Sequence, residues 1–217
     1  MGADHHGHVA RMKGAMDAIG IESSKLEVVI MQLVRLLKNG EVARMSKRTG
    51  KMITLTDLID ETGVDAARFF FNMRQCESHL DFDLDLAIAQ NNENPVFYVQ
   101  YAYARICSII NALREENITL SDNVNLNLLS SEEENELILK VISLPSEIEI
   151  AANTMEPSRL TRYVLDLASA FHSFYNSCRV KGEDVNLMQA RLYLITAAKT
   201  VIENVLGLLA ISAPEKM

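Results

Sequence analysis

From residue 94 onwards, apolar residues recur every three or four positions, which is the spacing of helices with one buried face. Asn94-Pro95 has the form of a helix start, because an asparagine side chain can cap the first turn and proline suits the first helical position. The apolar face of this helix would carry Val96, Val99, Ala102, Ile106, Ile109, Ile110 and Leu113. A helix of this kind needs partners that cover its apolar face.

The same spacing predicts the partner helices. Ser131-Glu132-Glu133-Glu134 has the form of a capping box and opens a second helix, which Pro145 should kink or divide. A third helix starts at Pro157, and a fourth covers residues 187–209. The face of the third helix predicted to be buried carries Leu160, Tyr163, Val164, Leu167, Phe171 and Phe174. Four or five amphipathic helices with short loops predict a mainly α fold with an antiparallel bundle.

Residues 1–85 are mixed in character. A helix is predicted over His8–Ala18, and Asn39-Gly40 after an apolar run predicts a tight type I′ hairpin turn. Two further helices are predicted over Thr56–Glu61 and Asp65–Met73, with a glycine as the stop signal between them. Apolar residues then alternate with aspartates, so we expect the apolar ones to pack inward, namely Leu80, Phe82 and Leu84.

Composition limits the kinds of partner. The net charge is −8, and both residues 1–85 and residues 86–217 carry an acidic excess, so we expect no general grip on nucleic-acid phosphates and no DNA partner. RNA binding would need a local patch and shape-specific contacts. The three cysteines are far apart, which argues against a zinc site or disulfides and fits the cytoplasm. The apolar stretch Leu192–Ile211 contains charged residues, so we expect no membrane span.

The stretch Met45-Ser46-Lys47-Arg48-Thr49-Gly50 is too polar to bury itself and predicts a mobile loop. Two adjacent cations, a hydroxyl and a glycine suit the neutralisation of charge that develops on phosphates during a reaction. From the residues alone, an exposed basic turn without such a role is the alternative.

This stretch resembles the KMSKS loop of class I aminoacyl-tRNA synthetases, in the form it takes in arginyl-tRNA synthetases. Further segments resemble the same family in the same order, namely residues 2–7, 63–71, 78–86, 94–102, 170–176 and 212–217. Full-length members carry a long region upstream, so the resemblance is to their C-terminal part. It implies that residues 1–85 are the α/β end of a Rossmann-like class I catalytic domain, and that residues 86–217 are the helical anticodon-binding domain.

The resemblance also implies an activity for the full-length enzyme, which uses ATP with Mg²⁺ to activate arginine and transfers it to tRNA(Arg). Lys47 would stabilise the pyrophosphate with help from Ser46 and Arg48, and Met45 would contact the nucleotide. Arg44 replaces the first lysine of the KMSKS pattern, which preserves charge but changes shape. Because the arginine pocket and the His-x-Gly-His signature are missing, we expect the isolated chain to be inactive. The alternatives are a non-catalytic tRNA-binding or scaffolding module with a relic loop, and a purely structural bundle.

The segment Gly2 to His8 has three interpretations. The first, implied by the resemblance, places Gly2, Asp4 and His5 at the ATP site, where the Asp4 carboxylate accepts the ribose hydroxyls. The second is an N-terminal segment without function. The third is a metal site on His5 and His8, which is weak because no third ligand is apparent; we therefore expect no protein-bound metal.

The end of the third helix offers candidate RNA contacts. Phe171 and Phe174 are expected in the core, while Tyr175, Asn176 and Arg179 are better placed to stack on or hydrogen-bond with unpaired bases. In the family the C-terminus lies by the anticodon, which implies that the Met217 carboxylate either contacts RNA or caps the bundle. Candidates for phosphate contacts are Arg105, Arg159, Arg162 and Lys181.

Overall fold

The computed structural model describes residues 1–43, 53–182 and 184–217. Within these residues the chain forms nine α-helices and one three-stranded sheet. The elements in chain order are α1 (Gly7–Ala18), β1 (Val34–Lys38), β2 (Glu41–Val42), α2 (Leu55–Thr62), α3 (Val64–Asn72), β3 (Leu80–Asp83), α4 (Leu84–Ile88), α5 (Pro95–Glu115), α6 (Glu132–Ile142), α7 (Leu144–Thr154), α8 (Ser158–Ser177) and α9 (Val185–Leu208).

The small sheet has the strand order β2-β1-β3. β1 and β2 form the predicted hairpin, because Asn39 and Gly40 have φ angles of 55° and 72°, the positive values that a type I′ turn requires. β1 also pairs with β3 in parallel, with Val34 opposite Leu80, and the connection between them contains α2 and α3. The sheet is therefore the α/β part of a chain that is otherwise helical.

Residues 55–88 join the sheet to the bundle. Gly63, with a φ of 80°, ends α2 and allows α3 to start in a new direction. Phe69 of α3 and Phe82 of β3 are fully buried, and the Phe82 ring lies 5.2 Å from the Phe70 ring of α3. α4 contacts the sheet, α2 and α3, and it spans the domain boundary predicted after residue 85. That boundary stays a prediction.

The bundle consists of α5 to α9, which confirms the predicted mainly α fold. The Asn94 side chain accepts hydrogen bonds from the backbone N–H groups of Val96 and Phe97, which starts α5 as predicted. The predicted division near Pro145 is also confirmed, because α6 ends at Ile142 and α7 begins at Leu144. α8 packs against α5, α6, α7 and α9, so it lies at the centre of the bundle.

A buried ion pair connects α6 to α9. Glu134 completes the predicted capping box, and its Oε2 accepts hydrogen bonds from the backbone N–H groups of Ser130 and Ser131 at 2.8 and 2.9 Å. Its Oε1 pairs with Nε of Arg191 at 2.7 Å. Burial acts to raise the pKa of Glu134, but the hydrogen bonds from Ser131, Arg191 and Ser130 outweigh it and leave the pKa below its usual value.

Residues 1–43 contrast with the bundle, because none of them is buried. Their first residues lie beside residues 29–31: Ala3 N–H donates to the carbonyl of Met31, and Met31 N–H donates to the carbonyl of Met1. The apolar side chains of Ile19 and Leu33 are each 73% exposed. Backbone pairing places the first residues, and within this region Val34 and Leu36 of β1 are partly buried against the hydrophobic core.

Candidate nucleic-acid interface

An arginine lies between two tyrosines on the surface of the bundle. Tyr101 and Arg105 are one helical turn apart on α5, and Tyr175 projects from the facing side of α8. Cζ of Arg105 is 4.8 Å from the centroid of the Tyr101 ring and 4.5 Å from that of the Tyr175 ring. The Arg105 guanidinium also donates a hydrogen bond to the Tyr101 hydroxyl. These contacts hold the cation in place over two flat aromatic surfaces.

The residues that follow α9 form a further wall of this site. A cavity of about 560 Å³ is lined by Tyr101, Arg105 and Tyr175 on one side and by Glu215, Lys216 and Met217 on the other. We call this cavity the tyrosine–arginine pocket. The structure therefore brings three of the predicted candidates for RNA contact, Arg105, Tyr175 and Met217, to one place. A pocket with ring faces, a guanidinium and an open side can receive a planar, polar group.

His172 supports the pocket from below. Its ring centroid is 4.8 Å from that of Tyr98 and 6.0 Å from that of Tyr101. Burial lowers the pKa of His172, and the nearby Arg105 guanidinium lowers it further, while a hydrogen bond to the backbone of Tyr98 acts in the opposite direction. Nε2 of His172 is buried and has no partner among the described residues. The imidazole is thus a neutral packing surface for Tyr101.

The other two residues predicted at the end of α8 do not line the pocket. Asn176 belongs to the last turn of α8 and is exposed, and Arg179 lies beyond the end of the helix. The backbone carbonyl of Arg179 accepts a hydrogen bond from Arg191 at 2.7 Å. Both side chains are on the protein surface, and their contacts with RNA stay predictions.

Arg159 and Arg162 lie at the opposite end of α8. Arg159 precedes Tyr175 by 16 residues, which is about 24 Å along a helix axis at 1.5 Å per residue. It forms an ion pair with Glu147 at 3.1 Å, and both arginines line a separate cavity of about 120 Å³. Any phosphate that these arginines bind is therefore distant from a base in the tyrosine–arginine pocket.

The segment predicted to hold the ATP ribose is exposed. Gly2 forms an isolated parallel bridge with Met31, and Asp4 and His5 follow in a short 3-10 turn. The rings of His5 and His8 are 5.6 Å apart. Within the described residues, no group of three or more histidine, cysteine, aspartate or glutamate side chains is arranged to hold a metal ion. The ribose role of this segment stays a prediction.

Two further findings concern the predicted catalytic loop and the question of a membrane span. The predicted catalytic and nucleotide-binding residues Met45, Ser46, Lys47 and Arg48 lie outside the described residues. Along the ranges that the structure describes, every helix is too short or too polar to cross a membrane.

Comparison with known proteins identifies the domain that carries the pocket. Residues 99–217, more than half of the chain, match the DALR anticodon binding domain. The chain belongs to this family. All nine residues that line the tyrosine–arginine pocket lie inside the DALR match, as does the whole of α8.

Individual relatives extend the similarity to the rest of the chain. The chain is 63% identical to an arginine–tRNA ligase of Caldanaerobacter subterraneus subsp. tengcongensis over 218 residues, which cover 100% of this chain and 39% of that protein. A structure from Campylobacter jejuni, assigned as an arginyl-tRNA synthetase, has a TM-score of 0.88 at 33% identity over 100% of this chain and 47% of its own.

A third relative agrees in fold. The Thermus thermophilus arginyl-tRNA synthetase has a TM-score of 0.76 at 23% identity, with 100% of this chain and 40% of that chain covered. The resemblance to the C-terminal part of arginyl-tRNA synthetases is thus confirmed, and the chain spans 39% of the length of the curated relatives.

Sequence reasoning missed one residue of this DALR domain site, Tyr101, and predicted Arg105 only as a phosphate contact. Their spacing of four residues on α5 was a usable signal, because it places them on one helix face. Their relation to Tyr175 was not readable from the sequence, since it depends on how α5 packs against α8.

Proposed function

We propose that this chain is the C-terminal part of an arginine–tRNA ligase and that its DALR domain binds the anticodon loop of tRNA(Arg) through the tyrosine–arginine pocket. The observation that carries the proposal is Arg105 held between Tyr101 and Tyr175 in a cavity within the DALR match. Relatives that are named arginine–tRNA ligases support the choice of tRNA.

The pocket explains how an acidic protein can bind RNA. With a net charge of −8, the chain has no general attraction for a phosphate backbone. A base that leaves the stacked loop can instead lie on the exposed ring of Tyr175, while the guanidinium of Arg105 donates hydrogen bonds to its edge. The lining contains two cations, Arg105 and Lys216, and one acidic side chain, Glu215. Binding by stacking and hydrogen bonds favours a particular loop over a generic polyanion.

In the complete enzyme, the region before the bundle would belong to the catalytic domain. Lys47, with Ser46 and Arg48, would stabilise the pyrophosphate that forms when arginine reacts with ATP and Mg²⁺, and such an enzyme would act in the cytoplasm. The isolated chain is expected to be inactive in arginine activation. A non-catalytic tRNA-binding module is the alternative; residues 2–50 disfavour it, since a mere binding module has no need for part of a nucleotide site.

A titration with RNA tests the proposal. Tyr175→Ala should weaken binding of a tRNA(Arg) anticodon stem-loop by about 1–3 kcal/mol, the value of one lost base–aromatic stack. Tyr193→Ala is the matched control, because Tyr193 is also an exposed tyrosine of the bundle but does not line the pocket. Equal affinity of the unmodified chain for the cognate stem-loop and for one with an exchanged anticodon would contradict anticodon recognition.

A further inference from the structure

A hydrogen-bonded network joins three distant parts of the sequence. Asp65 is on α3, Gln100 is on α5, and Ser212 follows α9. Oδ1 of Asp65 accepts from the backbone N–H of Ser212 at 3.1 Å, and Oδ2 accepts from the hydroxyl of Ser212 and from Nε2 of Gln100, the latter at 2.9 Å. Nε2 of Gln100 also donates to the carbonyl of Ser212 at 3.0 Å. One carboxylate thus receives three donors.

The network lies where the chain leaves α9 and turns towards the tyrosine–arginine pocket. Ala210 adopts a left-handed conformation with a φ of 53°, and Ile211 N–H donates to the carbonyl of Leu206, so the helix ends in a reversal of the chain. Ile211 is buried. Ser212 is exposed, and only two residues separate it from Glu215, the first residue of the pocket wall.

The wall itself is weakly held. Glu215, Lys216 and Met217 are exposed, and no hydrogen bond or ion pair of theirs is found among the described residues. Exposed segments with few contacts of their own open easily unless another part of the protein holds them. The last polar anchor before the wall is the network at Ser212.

We propose that Asp65 is a positioning residue for the tyrosine–arginine pocket: by holding Ser212, it fixes the chain end that forms the wall of the pocket. Gln100 stabilises this arrangement, because its buried amide contacts both Asp65 and Ser212. A residue of the region before the bundle therefore determines whether the RNA-binding pocket is complete. The effect on RNA rests on the proposed function, whereas the effect on the chain end does not.

The first experiment needs no RNA. Asp65→Asn keeps the shape of the side chain but turns one oxygen into an NH₂ donor that faces the donors of Ser212 or Gln100. Hydrogen exchange of residues 212–217, followed by mass spectrometry, should become about tenfold faster while exchange in α8 is unchanged. Asp60→Asn on α2 is the matched control, since it removes the same charge from an exposed aspartate and should change neither rate. Unchanged exchange at residues 212–217 in Asp65→Asn would overturn the proposal.

The second experiment is a double-mutant cycle with the tRNA(Arg) anticodon stem-loop as the probe. Asp65→Asn should weaken binding about three- to tenfold in the whole chain. In a chain that lacks residues 215–217 the same substitution should weaken binding less than about twofold, because the substitution and the truncation both act through the wall of the pocket. An equal loss in both backgrounds would show that Asp65 acts by another route and would refute the positioning role. If the unmodified chain does not bind the stem-loop, the proposed function fails, and the exchange experiment still tests the contact between Asp65 and the chain end.

A second variant distinguishes the positioning role from a general loss of folding in Asp65→Asn. Ser212→Ala deletes the hydroxyl donor on the exposed side of the network and leaves α3 untouched. It should accelerate exchange of residues 212–217 in the same direction by about threefold, because the backbone N–H of residue 212 can still donate to Asp65. If Ser212→Ala changes nothing while the melting temperature of Asp65→Asn falls sharply, Asp65 only stabilises the fold and the proposal is wrong.

Discussion

The bundle and residues 1–43 represent two ways in which a chain acquires structure. In the bundle, α5 and α8 each bury ten residues, and the other helices of the bundle complete the core. In residues 1–43, α1 buries none, and large apolar side chains such as Leu33 stay exposed. Helical periodicity thus predicts buried faces in the bundle, where the helices cover one another, whereas the predicted helix of residues 1–43 forms as α1 without a buried face.

The largest expected effect is in the bundle core. Phe174→Ala should lower the free energy of unfolding by about 3–5 kcal/mol, since Phe174 is fully buried at the centre of the bundle. Leu33→Ala in the exposed region should change it by less than about 0.5 kcal/mol, because no packing is lost there. Urea unfolding of both variants measures the two values. Similar losses would show that residues 1–43 share the stability of the bundle, and the contrast would fail.

The second prediction concerns the polar part of the core. Glu134→Gln should lower the free energy of unfolding by about 1.5–3 kcal/mol, because it removes the charge from the hydrogen bonds with Ser130, Ser131 and Arg191. Glu132→Gln at the same helix start is the control, since Glu132 is exposed. Because the folded-state pKa of Glu134 is lowered, its stabilising contribution is present above the unfolded pKa of about 4.3 and disappears as the pH falls through the folded value. A cost of Glu134→Gln that is the same at pH 7 and at a pH below the folded value would contradict this.

The smallest expected effect is on the pH dependence of stability, where two histidine variants should differ. The pKa of His172 is lowered in the folded protein, so the unfolded state binds more protons and stability falls as the pH drops below about 6.5, the ordinary histidine pKa. The loss should grow as the pH falls further, until the folded state also binds the proton. Melting temperatures of His172→Phe between pH 7 and 5.5 should show less of this slope than the unmodified chain, whereas His8→Asn in exposed α1 should retain it. Identical slopes in all three proteins would exclude His172 as the cause.

The helix starts of the bundle were readable from the sequence because caps act locally. Asn94 and the Ser131–Glu134 box each satisfy backbone donors within four residues, so their chemistry is complete in a short segment. The Asn39-Gly40 turn was readable for the same reason. Non-local pairing was not: β1 meets β3 across 46 residues, and nothing in either segment specifies the other. α4 was also missed, because Leu84 continues the alternation of β3 while belonging to a helix.

The same division between local and non-local signals holds for the candidate site. Tyr175 was predicted as an RNA contact because the periodicity of α8 places it on a different face from the buried Phe174. The pocket around it depends on α5 and on the residues after α9, which approach only in the folded protein. The network at Asp65 was invisible for a stronger reason, since its carboxylate and Ser212 are 147 residues apart. Sequence patterns identify which faces are available, and tertiary packing decides which of them meet.

The packing of α5 against α8 and α9 has a consequence for synthesis on the ribosome. α5 is translated first, but the residues that cover its apolar face, including Val99 and Ile106, come from helices that end at residues 177 and 208. At about 5–20 residues per second, this interval is on the order of ten seconds. During that time the nascent α5 presents an uncovered hydrophobic stripe to chaperones, and the bundle closes only when its last helix has emerged.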